Sequence, residues 1–428
     1  MTEKDFINRY VHAERKYYSE EECAPLRSMT LKEGFKKAAV RAFINRRLTL
    51  KKAEEDIILF FKLLSLCYSG YDYFSAKSDF SKMEKKMLDL IRNKKKISTR
   101  FLASNLISNL QNVIVDAHFR IISPKGYHIL CSHPSPYFTE LILEETEEGY
   151  RVIRGVSRMP IGTILFPDAV TDYLFPTLPG PDGKCRYLVG IITEQKRKTL
   201  TIGDVKLKLH RARLNRFRDK KEKKIIKLSD MAVFKDRTYR LNEDPLSYYD
   251  IGASLRAEAT VIWDLRNNEG GNSRYPESFI KGLNDYGYWQ CDCAVLQNPV
   301  FDAKQKERYY DIYRAQPYNL EQASYQGQLL VLTNKKVASS GEAAVLFSFS
   351  VPKSLRIGTA TSGCGTFGDT RAYVLKNSKI IVSFGYKIFF NKLQREGYGI
   401  KPDYWLDEDN GLSAFRRWYR NYRKQAEK

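Results

Sequence analysis

No stretch of this 428-residue chain approaches the ~18 consecutive apolar residues of a membrane-spanning helix. The N-terminus, Met1-Thr2-Glu3-Lys4-Asp5-Phe6, also lacks the apolar core of an export signal. The expectation is a soluble, cytoplasmic protein, exported only if a signal segment has been removed. Cysteine is scarce and unpatterned, with seven residues and no Cys-x-x-Cys pair. Cys291 and Cys293, with only Asp292 between them, are poorly spaced to share a metal. Free thiols in a reducing compartment are the simpler reading. Histidine is scarcer still, at positions 12, 118, 128, 133 and 210. A G-x-x-x-x-G-K-[ST] phosphate loop and an H-E-x-x-H zinc helix are both missing. No cofactor and no metal is therefore expected.

What the chain has in excess is positive charge: 72 Lys and Arg against 50 Asp and Glu, a formal net of +22. That balance favours anionic partners through long-range attraction. The local clusters at Lys94–Lys96, Lys196–Lys198 and Arg216–Lys227 carry no nucleic-acid reader motif, so solvated faces are the preferred reading. Nucleic acid is not an expected partner, and acidic peptides are the class the charge would favour. An apolar fraction of 43% with 13% aromatics supplies ample material for packed cores. At this length two or three domains are expected.

Residues 1–115 read as a helical domain. Apolar residues recur at helical spacing through Ala53–Leu64 and Phe80–Ile91, and Ser98 or Thr99 can cap a helix through Leu102, Leu106 and Leu110. The texture changes near Asn112. Short β-branched and aromatic runs then alternate with Pro/Gly punctuation, as at Val113–Val115, Tyr187–Ile192 and Thr199–Ile202. This marks 116–228 as a β-rich module whose charged tail, Arg216–Lys227, forms its boundary. Residues 229–410 have α/β texture, with buried-strand signatures at Ala259–Leu265 and Leu329–Thr333 and helical runs at Pro276–Leu283 and Gly341–Phe349. Strand, turn and helix in repetition imply a parallel or mixed sheet with sites at the strand C-termini. The tail, 411–428, reads as a basic C-terminal helix.

Two segments carry chemistry. In Val337-Ala338-Ser339-Ser340-Gly341-Glu342-Ala343, a serine follows a buried strand and precedes a helix. Backbone N–H groups converge at such a point, and the helix dipole favours developing negative charge. Ser339 is thus a candidate nucleophile, though serine is equally at home as an N-cap. In Asp264-Leu265-Arg266-Asn267-Asn268-Glu269-Gly270-Gly271-Asn272 a buried strand runs into a glycine-paired loop. That loop can turn N–H groups toward an anion or simply make a tight turn.

Together with Gly397-Tyr398-Gly399-Ile400-Lys401-Pro402-Asp403, these segments resemble the S41 peptidase family, which includes the C-terminal processing peptidases and the tricorn core. The resemblance covers roughly residues 230–407 and rests on three motifs in order: Asp-Leu-Arg-x-Asn-x-Gly-Gly, Ser-x-x-Glu and Gly-x-Gly-x-x-Pro-Asp. It implies an α+β multi-domain fold, in which N-terminal helices and a central β-rich module precede a C-terminal α/β (ClpP/crotonase-like) catalytic core. The module stands where processing peptidases often carry a PDZ domain, but no PDZ carboxylate loop is evident. The column that holds the catalytic lysine of the processing peptidases falls on Cys364, which disfavours a Ser–Lys dyad. Val115-Asp116-Ala117-His118-Phe119-Arg120 resembles the Asp-x-His element of the tricorn-like branch, and Glu396 its late glutamate. The resemblance therefore implies Ser339 as nucleophile, His118 as general base and Glu396 as orienting acid. The oxyanion donors would be the N–H of Gly270, in preference to Gly271, and that of Ser340, while Glu342 packs or caps. The implied substrate is a peptide or unfolded protein, and a homo-oligomer is compatible with the family. The alternative class is a non-catalytic S41-fold protein that binds a peptide or other ligand.

Overall fold

The computed structural model describes residues 3–8, 15–32, 34–180, 182–212, 223–228, 231–237, 239, 244–285, 290–316, 318–393, 395–406, 415–416 and 418–421. The chain forms two compact units, each drawn from three stretches. Met1–Ser132, Gln290–Gln316 and Cys364–Gly397 make the first; His133–Trp289, Pro317–Gly363 and Tyr398–Lys428 make the second.

The first unit begins with the expected helices. Leu50–Cys67 and Thr99–Leu110 are capped by Thr49 and Ser98, whose side chains accept from the N–H groups of Lys52 and Phe101. Each cap satisfies a donor that the first helical turn leaves orphaned. Their apolar faces, including Ile57, Phe60, Leu64, Leu102 and Leu106, share a core with Phe119, Ile121 and Val382 of an antiparallel sheet. That sheet runs Lys16–Tyr17, Glu307–Tyr313, Cys293–Gln297, Ile381–Phe389, Asp116–Ser123, Gly126–Leu130, with Phe367–Val374 also paired to Ile381–Phe389. Val113–Val115 is not a strand, despite its β-branched run. The N–H groups of Val113 and Ile114 bond back to the Leu110 carbonyl, so the helix exit consumes them and the strand begins at Asp116.

The second unit holds two further sheets and a hairpin. The β-rich module is an antiparallel sheet of Ile164–Leu165, Gly149–Arg154, Ser135–Thr146, Arg186–Thr193 and Leu174–Pro176, with His210–Arg211 also paired to Ser135–Thr146. The hairpin Thr199–Ile202/Val205–Lys208 packs into the same core through Leu200, Ile202 and Leu207. The other sheet runs Lys224–Lys227, Ala232–Lys235, Thr260–Asp264, Gln328–Thr333, Ser354–Gly358, Tyr404–Trp405, and is parallel after its antiparallel first pair. It is buried on both faces, as a near-continuous apolar strand requires. Val261 and Trp263 pack with Phe279, Leu255 and Val345 on one side, and Ile262 and Leu330 with Phe415 and Tyr419 on the other. Of the expected C-terminal helix, residues 415–416 and 418–421 are helical, and the remainder lies outside the described residues, as does 216–222 of the charged boundary. Lys224–Lys227 is a strand.

Asp56, fully buried on Leu50–Cys67, fastens the turn between the strands Phe367–Val374 and Ile381–Phe389. Its Oδ1 accepts from Asn377 N–H at 2.9 Å and its Oδ2 from Ser378 N–H at 2.7 Å. Asp56→Ala strands both donors, at a cost of about 1–3 kcal/mol each. The expected outcome is a clearly lowered urea midpoint for the first unit; an unchanged midpoint would show that the turn holds without the carboxylate.

Candidate active site

Ser339 sits between the strand Gln328–Thr333 and the helix Ser340–Phe347, as the N-cap of that helix. Its backbone is unusual for a residue with a side chain, at φ 54° and ψ −123°. Such conformations cost about 1–3 kcal/mol and persist only where the surroundings impose them. Here they do. The Ser339 N–H donates to Glu342 Oε2 at 3.3 Å, and the Ala338 N–H donates to the Asn268 carbonyl at 3.0 Å. Glu342 is fully buried, and its Oε1 accepts from Thr361 Oγ1 at 2.5 Å and from Gly363 N–H at 2.9 Å. Thr361 Oγ1 in turn accepts from Ile400 N–H at 2.7 Å, which joins the late motif to the elbow.

The Asp264–Asn272 loop closes against the same elbow. Asp264 is fully buried, and its carboxylate accepts two bonds from Arg266, Nε at 2.8 Å and Nη2 at 2.9 Å, with Arg237 Nη2 at 3.3 Å. Burial works to raise its pKa, but the Arg266 hydrogen bonds and the charges of Arg266 and Arg237 outweigh it and hold the carboxyl below its ordinary value. A Cβ on Gly270 would stand 2.6 Å from the Ala338 carbonyl oxygen and 2.8 Å from Ser339 Cβ, so only glycine, at φ 91°, lets the loop approach the serine this closely. Gly341 is required for the same reason, its Cβ position lying 2.5 Å from the Asn268 carbonyl oxygen. The Gly270 N–H is committed to Asn268 Oδ1 at 3.0 Å. The Ser340 Oγ donates to the Gly271 carbonyl at 2.9 Å, and the Ser340 amide is the first of its helix, a position that intrahelical bonding leaves open.

The first unit gathers Asp116, His118 and Glu396, with one donor atom of each within 4.8 Å of the others. Asp116 and His118 are buried and Glu396 is half-buried. Glu396 accepts from Ala117 N–H at 2.8 Å and Thr366 N–H at 2.9 Å, one on each oxygen. Asp116 Oδ1 accepts from the N–H groups of His118 at 2.6 Å and Phe119 at 3.2 Å, and its Oδ2 accepts from Tyr68 Oη at 2.9 Å. Burial raises the Asp116 carboxyl above its ordinary range. Burial and the Arg120 charge push the His118 imidazole down to about 4, against the opposing effects of Asp369 and a bond to the Phe367 backbone. The three residues could meet one cation by proximity alone. All four carboxylate oxygens, however, already serve as hydrogen-bond acceptors.

Of the other histidines, His128 is half-buried and His210 exposed, and His133 Nδ1 lies 3.2 Å from the Ser362 carbonyl oxygen; His12 lies outside the described residues. Cys364 is buried in the first unit. No cysteine among the described residues is in a disulfide. Gly363-Cys364-Gly365-Thr366-Phe367-Gly368 has the glycine spacing of a dinucleotide loop but leads into the strand Phe367–Val374. It therefore lacks the helix N-terminus that would hold a pyrophosphate. Sequence reasoning named Glu342 without its partners, held Asn268 in a motif without giving it a role, and missed Thr361 and Tyr68; a lone Thr or Tyr carries no spacing signal.

Residues 253–406 match the profile of Peptidase family S41. The chain carries an S41 peptidase domain. With it comes the activity of a serine-type peptidase. A comparison with curated proteins gives no match. Among solved structures, mature CPAF is similar at 12% identity and TM-score 0.48, over 86% of this chain and 95% of that one. A putative peptidase from Parabacteroides merdae follows at 11% identity and TM-score 0.46, over 86% and 96%. The tricorn protease aligns at 15% identity and TM-score 0.36, over 85% of this chain and 35% of that one.

Within the S41 domain, Glu342→Gln places an amide N–H against one of the three donors that the carboxylate accepts. A clash of that kind costs about 1–3 kcal/mol. The variant is expected to lose kcat, with KM little changed and the thermal midpoint lowered. An unaltered kcat would show that Ser339 keeps its backbone conformation without the carboxylate.

Proposed function

We propose that this S41 peptidase hydrolyses peptide bonds through an acyl-enzyme on Ser339, with His118 as general base and Glu396 as its orienting acid. The observation that carries the nucleophile is the strained φ of 54° at Ser339, held beneath the N-terminus of Ser340–Phe347. In the first step Ser339 Oγ attacks the scissile carbonyl carbon while His118 takes the hydroxyl proton. The Ser340 N–H supports the resulting oxyanion. Gly271 is the preferred second donor, because the Gly270 N–H is occupied by Asn268. Collapse of the tetrahedral intermediate breaks the C–N bond as His118 returns the proton to the leaving amine. Water then repeats the sequence on the ester, releasing the acid and restoring the serine.

The choice of His118 over a lysine is supported by its motif, by Cys364 in the lysine column and by the local chemistry. An imidazole with its pKa at about 4 is neutral, and so able to accept a proton, across the neutral range. The Glu396 carboxylate, close to it and fixed by two backbone N–H groups, is suited to stabilise the imidazolium formed during attack.

A fluorophosphonate probe should label the intact protein at Ser339 and fail to label Ser339→Ala. His118→Ala is expected to lower kcat/KM by about 10²–10⁴. Labelling retained in His118→Ala but lost in His133→Ala would overturn His118 as base. In the wild type kcat/KM should hold level as pH falls through 6.5, then drop as His118 gains its proton near pH 4. An acid limb near 6.5 would belong to an unburied histidine and would speak against His118.

A further inference from the structure

We infer that the outward face of the Thr199–Ile202/Val205–Lys208 hairpin is a docking strip for an extended acidic segment of the protein substrate. The inference rests on the peptidase reading above and names the substrate class. The register pairs Thr199 with Lys208, Leu200 with Leu207, Thr201 with Lys206 and Ile202 with Val205. Leu200, Ile202, Leu207 and then Leu209 are buried in the module core. Strand alternation therefore sends Lys206, Lys208 and His210 to the opposite face, and all three are exposed. Successive members of that row stand about 6.8 Å apart, two residues of strand. Thr199 and Thr201, opposite the two lysines, place hydroxyls on the same face.

Among the described residues the two lysines of this strip have no carboxylate partner. Elsewhere in the module Arg151 and Lys184 pair with Glu144, and Arg186 pairs with Asp182. Among the described residues Lys206 and Lys208 enter no ion pair, nor do the exposed Lys196, Arg197 and Lys198 just before the hairpin. His210 lies 3.4 Å from Glu140, and the carboxylates within 194–211 are Glu194, before the hairpin, and Asp204, at its turn. An extended peptide with carboxylates at every second residue presents negative charge at the same ~6.8 Å interval. A single nucleic-acid strand would also bring regular charge, but such strands are held by aromatic stacking, and residues 194–211 contain no Phe, Tyr or Trp.

The test is fluorescence anisotropy with the full-length Ser339→Ala protein, which binds without turnover, so the result is independent of which residue serves as base. The probes are a labelled peptide alternating Glu and Gly, a block isomer with the same glutamates contiguous, and a 12-nucleotide oligodeoxythymidine. The alternating peptide should bind several-fold more tightly than the block isomer. Adding Lys206→Glu/Lys208→Glu should weaken it about tenfold or more at low salt, and Lys206→Gln/Lys208→Gln by a smaller factor. Lys85→Glu/Lys86→Glu, an equal charge change on the helix Phe80–Ile91, should have little effect. Equal losses in the two charge-reversal variants, or equal affinity for the two peptides, would overturn the strip. Tighter Lys206-dependent binding of the oligonucleotide would overturn the acidic polypeptide as its ligand.

Discussion

The second unit's functional end depends on one buried carboxylate. Glu342 accepts from the Ser339 amide, the Thr361 hydroxyl and the Gly363 amide, and Thr361 passes the connection to Ile400. A buried anion is tolerable when its lone pairs are used in this way. The consequence reaches beyond the elbow. Segments around 268, 339, 361 and 400, far apart in sequence, become one hydrogen-bonded body, with Asn268 supplying the remaining link through Ala338. A strained serine needs such surroundings, because its relaxation to an ordinary N-cap would otherwise be downhill.

In the first unit the acids act on backbone as much as on side chains. Asp116 gathers the N–H groups of His118 and Phe119, and Tyr68 on its other oxygen anchors it to the exit of the helix Leu50–Cys67. Glu396 ties Ala117 to Thr366. The Asp-x-His spacing thus has a local physical meaning. The aspartate two residues before the histidine bends the strand start and fixes the backbone from which the imidazole projects.

Much of this was legible in the sequence, for identifiable reasons. Helices with apolar spacing and a polar cap, such as Thr99–Leu110 after Ser98, declare themselves locally. So do the strands Thr260–Asp264 and Gln328–Thr333, whose unbroken apolar runs suit a sheet covered on both faces. What could not be read is whatever pairing decides. Val113–Val115 has strand composition, but the N–H groups of Val113 and Ile114 are taken by the helix before it. The strand Asp116–Ser123 pairs with Ile381–Phe389, and no composition rule joins segments more than 250 residues apart. At the site, glycines and charged residues left a pattern. The engagement of the Gly270 N–H did not, because it is a single bond donated to Asn268 Oδ1 within the loop.

The depressed pKa of His118 also constrains how a base of this kind can work. Burial and Arg120 keep the imidazole neutral, which makes it available, but a pKa near 4 makes it a poor proton acceptor at neutral pH. Both properties are compatible only if proton affinity rises when the reaction needs it. The carboxylate of Glu396 is fixed before any substrate arrives, and its attraction for an imidazolium grows as water is excluded and the local dielectric falls. On the proposed mechanism desolvation dominates at rest, and the imidazolium that would develop during attack meets a preorganised negative charge. A lysine at the same depth would face the opposite problem, since it must first be deprived of a proton that it holds strongly. A histidine–glutamate arrangement needs no such step, and on the proposed reading the buried Cys364 in the lysine column leaves that role to it.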